Sequence, residues 1–377
     1  IKAGTPYFQL GRMFPGVKIE AFSSNYELYG ELTGRVMTII RDMAPECFRY
    51  SIDEAFAVLD GFSVDELHEW GVALHDRVMQ SVGMPVSIGI APTKTMAKMA
   101  SHYAKKYAGY GHCCVIDTEE RRIKAEQLYP IGEVWGIGRR YQARLESMGI
   151  RTAYDFASHA RSWVSATFRN VIMERTWAEL NGVDCIPDDI PAKKKSICTS
   201  RSFRDMTSDF DILHTHIANF AARCAEKARR QRSVATVVGV FVDTNHFRTD
   251  LTQYWNMTEL TLRMPSASTI EIVKAATACL KRIYRADVMY KKAGVILMGV
   301  VPDNAIQTDL FSFDADRHRQ MQSLDNAVDR LNKVEGTETV MLSSQQYGKG
   351  QKFADAIRRE RKSQCPTTRW TDIIKLK

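Results

Sequence analysis

Residues 50–59 read Tyr50-Ser51-Ile52-Asp53-Glu54-Ala55-Phe56-Ala57-Val58-Leu59, and the reading of this stretch decides the fold. Two adjacent carboxylates lie inside a run that otherwise has the composition of buried sheet. Charged groups in such surroundings are costly unless paired or bound to a metal. Residues 47–52 and 55–59 read as two short strands, which places Asp53 and Glu54 at a hairpin-like tip on a sheet edge. Neighbouring side chains on a regular strand diverge to opposite faces. At a bend both can converge on one ion, and oxygen-only ligation suits magnesium, which takes one or two carboxylates together with substrate phosphates. The same dipeptide can also be a solvated turn; the apolar neighbours on both sides weigh toward a site.

Working outward, the spacing predicts a helix from Phe22, with Ser24 and Glu27 as a capping box and Pro45 closing the region. After the hairpin, Asp60-Gly61 is a turn signal. A helix over 64–82, a strand over 86–91, a helix over 93–106 and a strand over 113–117 follow. The order is that of a β-α-β-β-α-β unit without its first strand. Residues 1–18 hold no segment apolar enough to supply it, and the chain begins with Ile1, so the sequence is expected to lack its natural beginning. Residues 119–190 read as short helices with Gly-containing turns. Pro187 through Lys195 has the proline and charge content of a linker. Beyond it lies a complete β-α-β-β-α-β pattern: strand 197–203, helix 209–230, strands 234–242 and 259–264, helix 268–285, strand 293–300. Residues 302–377 are polar and expected to be only partly folded.

The totals narrow the function classes. A chain of 377 residues with 45% hydrophobic and 25% charged residues builds several cored domains and is not of the disordered class. No apolar run approaches a membrane span and nothing resembles a signal peptide. The eight cysteines are scattered without a C-x-x-C pair, which fits reduced packing cysteines of a cytoplasmic protein without a zinc site. Net charge is +8, and residues 193–292 alone hold 18 Lys/Arg against 9 Asp/Glu. One segment thus carries the whole excess, as an electrostatic surface for nucleic acid would.

Three further motifs carry chemistry. Ile88-Gly89-Ile90-Ala91-Pro92-Thr93-Lys94-Thr95-Met96-Ala97-Lys98 runs from strand into helix, with Lys94 and Lys98 on one face. A helix start with lysines nearby favours phosphates, although a solvated basic face reads the same. No Walker spacing is present. Gly136-Ile137-Gly138 before an amphipathic helix can let backbone amides approach a phosphate chain, or can be a plain helix–helix turn. Gln307-Thr308-Asp309-Leu310-Phe311 pairs a polar anchor with two adjacent apolar side chains in a polar tail, the form of a groove-binding peptide.

YSIDEAF, VSIGIAPTKTMAKMASHYAKK and VWGIGRRYQARLESMGI, in this order and spacing, resemble the Y-family translesion DNA polymerases. FSSNYELYGELTGRVM, SICTSRSF and the ending TTRWTDIIKLK narrow the likeness to the UmuC-type catalytic subunits of bacterial DNA polymerase V. The resemblance covers essentially the whole chain. It implies a multidomain α+β right-hand polymerase: residues 1–20 a remnant of the fingers, 21–118 a ferredoxin-like palm, 119–190 a small helical thumb, 191–196 a linker, 197–302 a βαββαβ little finger, and 303–377 a tail with a clamp-binding motif.

The resemblance also implies roles. Asp53 bridges two catalytic Mg2+ ions, Glu54 binds the ion that activates the primer 3′-hydroxyl, and Ser51 shapes the tip. Lys98, with Lys94 beside it, contacts the incoming deoxynucleoside triphosphate. Gly136 and Gly138 hold primer-template backbone, and Arg201 and Arg204 track template phosphates. Gln307, Leu310 and Phe311 bind the bacterial sliding clamp. A processed UmuD dimer and a recombinase filament are partners in SOS-type DNA repair. The family's first metal-binding aspartate and its aromatic steric gate lie in a D-x-N-S-F-Y type segment that this sequence does not contain. As it stands, the chain is expected to bind DNA and to extend primers poorly, and a non-catalytic DNA- and clamp-binding relative is the alternative.

Overall fold

Four residues on each side of the tip pair as strands. Glu46–Arg49 (β1) runs antiparallel to Ala55–Val58 (β2), with Glu46 opposite Val58 and Arg49 opposite Ala55. The computed structural model of the chain describes residues 1, 4–188, 193–304, 314–336, 338–346, 361–367 and 370–373. The chain divides into two units, Ile1–Pro191 together with Arg359–Lys377, and Ala192–Arg358.

The first unit opens with helices Tyr7–Met13 (α1) and Tyr26–Met43 (α2) ahead of the hairpin. The cap of α2 is Asn25, whose side chain accepts the Leu28 N–H, and not the expected Ser24. Asparagine caps as well as serine, and a carboxamide also has N–H groups to use elsewhere. Val64–Val82 (α3) has the predicted bounds: Ser63 and Glu66 form a capping box, and Gly83, at φ 71, ends the helix in the left-handed region that glycine adopts without strain. Then come Ile88–Ile90 (β3), Lys94–Lys106 (α4) and Cys113–Val115 (β4). β3 and β4 are parallel, and they form a sheet separate from the hairpin. β3 lies directly on α4, because a Cβ at Gly89 would strike the Ala97 carbonyl and the Ser101 amide.

Glu119–Leu128 (α5), Arg139–Ser147 (α6), Ala153–Ala157 (α7), Arg161–Phe168 (α8) and Val171–Leu180 (α9) follow. Leu145, Phe156, Val164, Met173 and Leu180 share one core with Met99, Ala100 and Tyr103 of α4. The helical segment is therefore built onto the helix that carries Lys98, which fixes that lysine relative to the turns before α6.

In the second unit, Ile197–Thr207 (β5), Phe210–Arg230 (α10), Ser233–Thr244 (β6), Trp255–Ser266 (β7), Thr269–Ile283 (α11) and Tyr290–Met298 (β8) give the expected β-α-β-β-α-β order. The sheet order is β5-β8-β6-β7, with every pair antiparallel. Both helices cover one face and bury Leu213, Ile217, Ile272 and Leu280 against Val240, Val242, Val295 and Leu297. A short strand, Val301–Pro302 (β9), pairs with the start of β6.

The sequence yields no element after this point, yet Ala315–Val334 (α12) is a 20-residue helix. Its buried Asp325 meets Arg229 at 3.4 Å and accepts the Thr269 N–H at 3.2 Å, while Asp329 takes both Nε and Nη2 of Arg229 at 2.7 Å. A planar guanidinium held in this way is a geometry that lysine could not reproduce. Among the described residues no helix is long and apolar enough to cross a membrane. The eight cysteines are free thiols.

Candidate active site

Residues 50–54 form the tip of the hairpin. Tyr50 and Ser51 both donate their N–H to the Glu54 carbonyl at 3.0 Å, and Arg49 Nε donates to the Ser51 carbonyl at 3.0 Å. The Ser51 hydroxyl donates to Asp53 Oδ1 at 2.6 Å and accepts the Asp53 N–H at 3.3 Å. These bonds are local in sequence, so the tip is shaped by its own residues. Asp53 and Glu54 are both exposed, and the flanking β2 residues are half-buried. The expected cost of burying two charges is therefore not incurred; the acidic pair faces solvent at the edge of a small sheet.

Lys98 comes to this tip from α4. Its Nζ lies 2.7 Å from Glu54 Oε1 and over three rings, 4.8 Å from the Tyr50 centroid, 5.2 Å from Trp135 and 5.9 Å from Phe56. Trp135 Nε1 donates to the Tyr50 hydroxyl at 3.3 Å. An ammonium over aromatic faces is held by ring quadrupoles as well as by the carboxylate. The tip thus joins a carboxylate pair, a lysine and an aromatic cage drawn from three separated stretches of sequence. The sequence reading missed Tyr50, Phe56 and Trp135. Their signal was position: two flank the acidic pair and the third adjoins Gly136.

Lys94 goes elsewhere. Its ammonium meets Asp188 at 3.2 Å, Asp184 at 3.3 Å and the Ile186 carbonyl at 2.8 Å. Burial pushes its pKa down, and the two aspartates more than reverse this, so the net direction is upward. The start of α4 is also taken. Glu179, fully buried on α9, accepts the Thr95 N–H at 2.9 Å, and Thr93 caps Met96 while donating to the Glu179 carbonyl. The other oxygen of Glu179 accepts the N–H groups of Cys185 and Ile186. The phosphate position that the sequence suggests at this helix start is filled by the protein's own carboxylate, a partner 84 residues away that no local pattern reveals.

Gly136 has φ 95, and a Cβ there would meet Thr176 Oγ1 at 2.5 Å, so a larger residue is excluded both by strain and by space. Gly138 caps α6 without a side chain, and it stands exposed with Arg139 and Arg140. Uncapped first-turn amides followed by two arginines favour an anion. In the second unit, Arg201 is half-buried on β5 between Thr199 and Phe203, on the helix-covered side, and Arg204 is exposed, 3.7 Å from Asp205. Gln307, Leu310 and Phe311 lie outside the described residues.

The donor set at the tip fits a hard cation. Asp53, Glu54 and the Ser51 hydroxyl are all oxygen donors, the two carboxylates exposed and Ser51 half-buried, and a cationic ammonium sits against Glu54.

Comparison with known proteins agrees with this architecture. Residues 1–102 match the impB/mucB/samB family and residues 194–310 match the impB/mucB/samB family C-terminal domain, while residues 322–376 match a domain of unknown function, DUF4113. Protein UmuC of Salmonella typhimurium is 35% identical over 100% of this chain and 89% of its own length. Protein ImpB of the same organism is 35% identical over 99% of this chain and 87% of its own. DNA polymerase IV of Dehalococcoides mccartyi is 28% identical over 94% of this chain and 86% of its own. Among solved structures, the Y-family DNA polymerase chimera Dbh-Dpo4(243-245)-Dbh matches with a TM-score of 0.59 and 18% identity, covering 80% of this chain and 84% of that one, which establishes likeness of fold. By identity spread over its whole length, the chain belongs to the UmuC-type, impB/mucB/samB family of Y-family DNA polymerases.

Proposed function

We propose that the chain performs error-prone, template-directed DNA synthesis past damaged bases, with the hairpin tip as its nucleotidyl-transfer site. The observation that carries this reading is the 2.7 Å pairing of Glu54 with Lys98 at an exposed tip beside Asp53. Bound there, two magnesium ions supply charge neutralisation at the attacking and leaving oxygens of an in-line displacement. Asp53 would hold both ions and Glu54 the one beside the primer 3′-hydroxyl. Ser51 fixes the orientation of the Asp53 carboxylate through its hydroxyl. Lys98, released from Glu54, turns its charge to the triphosphate, where a preplaced cation lowers the barrier as negative charge shifts. Lys94, already paired with two aspartates, positions the 184–188 loop instead. Gly136 and Gly138 admit the primer-template backbone. Arg204 and the basic excess of the second unit would hold template phosphates, contacts that position DNA without reading its sequence, whereas Arg201, half-buried on the helix-covered side of β5, does not serve the role expected of it.

The sliding clamp would engage Gln307, Leu310 and Phe311, and a processed UmuD dimer and a recombinase filament complete the set of partners, in the cytoplasm. The test is magnesium-dependent primer extension by the full gene product, wild type against Asp53→Ala; activity persisting in the variant rejects the assignment of the tip. A second reading, a DNA- and clamp-binding relative without catalysis, draws on one observation. Among the described residues no group of three or more His, Cys, Asp or Glu converges to hold a metal. Extension at background by both proteins, with tight and salt-sensitive binding to primer-template, selects that reading.

A further inference from the structure

The two lysines of α4 are held in different ways. Lys94 has three acceptors for its three N–H bonds, Asp184, Asp188 and the Ile186 carbonyl. Lys98 has one acceptor among the described residues, Glu54 at 2.7 Å, and its ammonium is otherwise surrounded by the Tyr50, Phe56 and Trp135 rings. Those rings also hold one another. Tyr50 and Trp135 meet edge to face at 5.5 Å and 88°, Tyr50 and Phe56 at 5.7 Å, and Phe56 and Trp135 at 5.8 Å. Two of the three belong to the hairpin, and Trp135 comes from the turn before α6. Its backbone is fixed there. The buried Thr176 of α9 donates its hydroxyl to the Trp135 carbonyl at 3.4 Å, and the Ile137 N–H goes to the Val134 carbonyl at 3.0 Å.

We propose that Trp135 is a positioning residue, which holds the Lys98 ammonium ready for the incoming triphosphate. The inference rests on the proposed function, in which Lys98 turns from Glu54 to the nucleotide, and adds a residue that acts on the nucleotide through that lysine. A lysine side chain is a flexible four-carbon stem, and an ammonium free to wander costs entropy when a ligand fixes it. More carboxylates would remove that freedom, as they do at Lys94, but would also bind the charge to the protein. Ring faces attract a cation without directional bonds. The cage therefore confines the ammonium and leaves it transferable. The indole N–H, donated to the Tyr50 hydroxyl at 3.3 Å, ties the ring from the turn to a ring of the hairpin. The turn is as constrained as the ring it presents, since Gly136, next in sequence, has φ 95 and a Cβ there would strike Thr176.

The test measures binding and not turnover. The full gene product is loaded with a primer-template whose primer ends in a dideoxynucleotide, and the correct deoxynucleoside triphosphate is titrated in magnesium to give its dissociation constant. Lys98→Ala weakens the nucleotide by about 30-fold, as loss of a charged hydrogen-bond donor does. Trp135→Leu weakens it by about tenfold, the order of a desolvated cation–π contact. Trp135→Phe keeps a ring face at Lys98 but loses the N–H to Tyr50, and it recovers part of that loss; it also serves if the leucine variant does not fold. Either Trp135 variant combined with Lys98→Ala binds no more weakly than Lys98→Ala alone, because the indole acts through the ammonium. Additive losses overturn the proposal, since they mean that Trp135 acts on the fold and not on Lys98. Trp135 variants that bind as wild type, while Lys98→Ala is weakened, also overturn it and leave the proposed function standing. If the wild type binds no nucleotide, or Lys98→Ala binds it as tightly as wild type, the reading of the tip falls and the role of Trp135 falls with it.

Discussion

The hairpin region of the first unit and the sheet of the second answer the same sequence pattern in opposite ways. The second unit lines up β5, β8, β6 and β7, each 9 to 12 residues long, with β9 beside β6, and buries two helices against them. The first pairs strands of three or four residues in two separate sheets, and its helices α2 and α3 meet over a small core around Val36, Leu74 and Val78. Burial of apolar area is the main source of stability, so the second unit is the rigid body and the hairpin is a light appendage. The light part carries the acidic pair, and the heavy part carries the charge excess. On the proposed function, chemistry that must admit metal and nucleotide would sit where little else depends on it.

This contrast predicts that damage to the two regions will separate cleanly into lost activity and lost stability. The largest effect is expected from Asp53→Ala, which lowers primer extension by more than about 100-fold, beyond the loss common for outer partners of a metal site. The melting temperature stays put, because among the described residues the carboxylate bonds to Ser51 alone; a large fall in melting temperature would blur the contrast. Leu213→Ala, in the fully buried core, costs about 2–5 kcal/mol in denaturant unfolding, whereas Phe56→Ala, half-buried on β2, costs about 1 kcal/mol or less. Equal losses at the two positions would contradict the division. Gly294→Ala drives a methyl against Phe241 and Ser200 on neighbouring strands and costs about 1–3 kcal/mol without altering extension per folded molecule.

The effect confined to a limited pH window is a dependence of stability on pH, and it has opposite signs in the two units. In α5, burial pushes the Glu126 carboxyl up to about 7 against the pull of Arg122. The unfolded chain releases that proton first, so the first unit loses stability as pH rises from about 4.5 through 7. In α10, burial pushes His216 down to about 4. There the unfolded chain takes up a proton first, so the second unit loses stability as pH falls from about 6.5 toward 4. Each swing is at most about 3 kcal/mol across its window, and Glu126→Gln and His216→Gln remove them one at a time in pH-dependent melting curves.

Elements were legible in the sequence where their signals are local. The Ser63–Glu66 box and Gly83 bound α3 at the predicted residues, and the Asp53-Glu54 tip is a hairpin as read. The order β-α-β-β-α-β in the second unit was legible for the same reason. Hidden were the pairings that close over long loops. Nothing local tells that β8 inserts between β5 and β6, that Glu179 fills the start of α4, or that Lys94 is spent on Asp184 and Asp188. The helix α12 escaped notice because its partner, Arg229, lies some hundred residues upstream and its own surface is polar. Asp53, Glu54 and Lys98 were singled out by motif and the structure brings Lys98 to Glu54, while the aromatic cage around Lys98 emerged only in three dimensions.

That cage has a use beyond holding a charge. The Trp135 indole lies 5.5 Å from the Tyr50 ring, bonds to its hydroxyl, and stands 5.2 Å from the Lys98 ammonium. An indole's emission responds to a nearby cation and to its hydrogen bond. Any ligand that draws Lys98 away from Glu54 therefore rewrites the light emitted from the tip. Trp135, one of six tryptophans in the chain, is placed where a change at Lys98 reaches its ring.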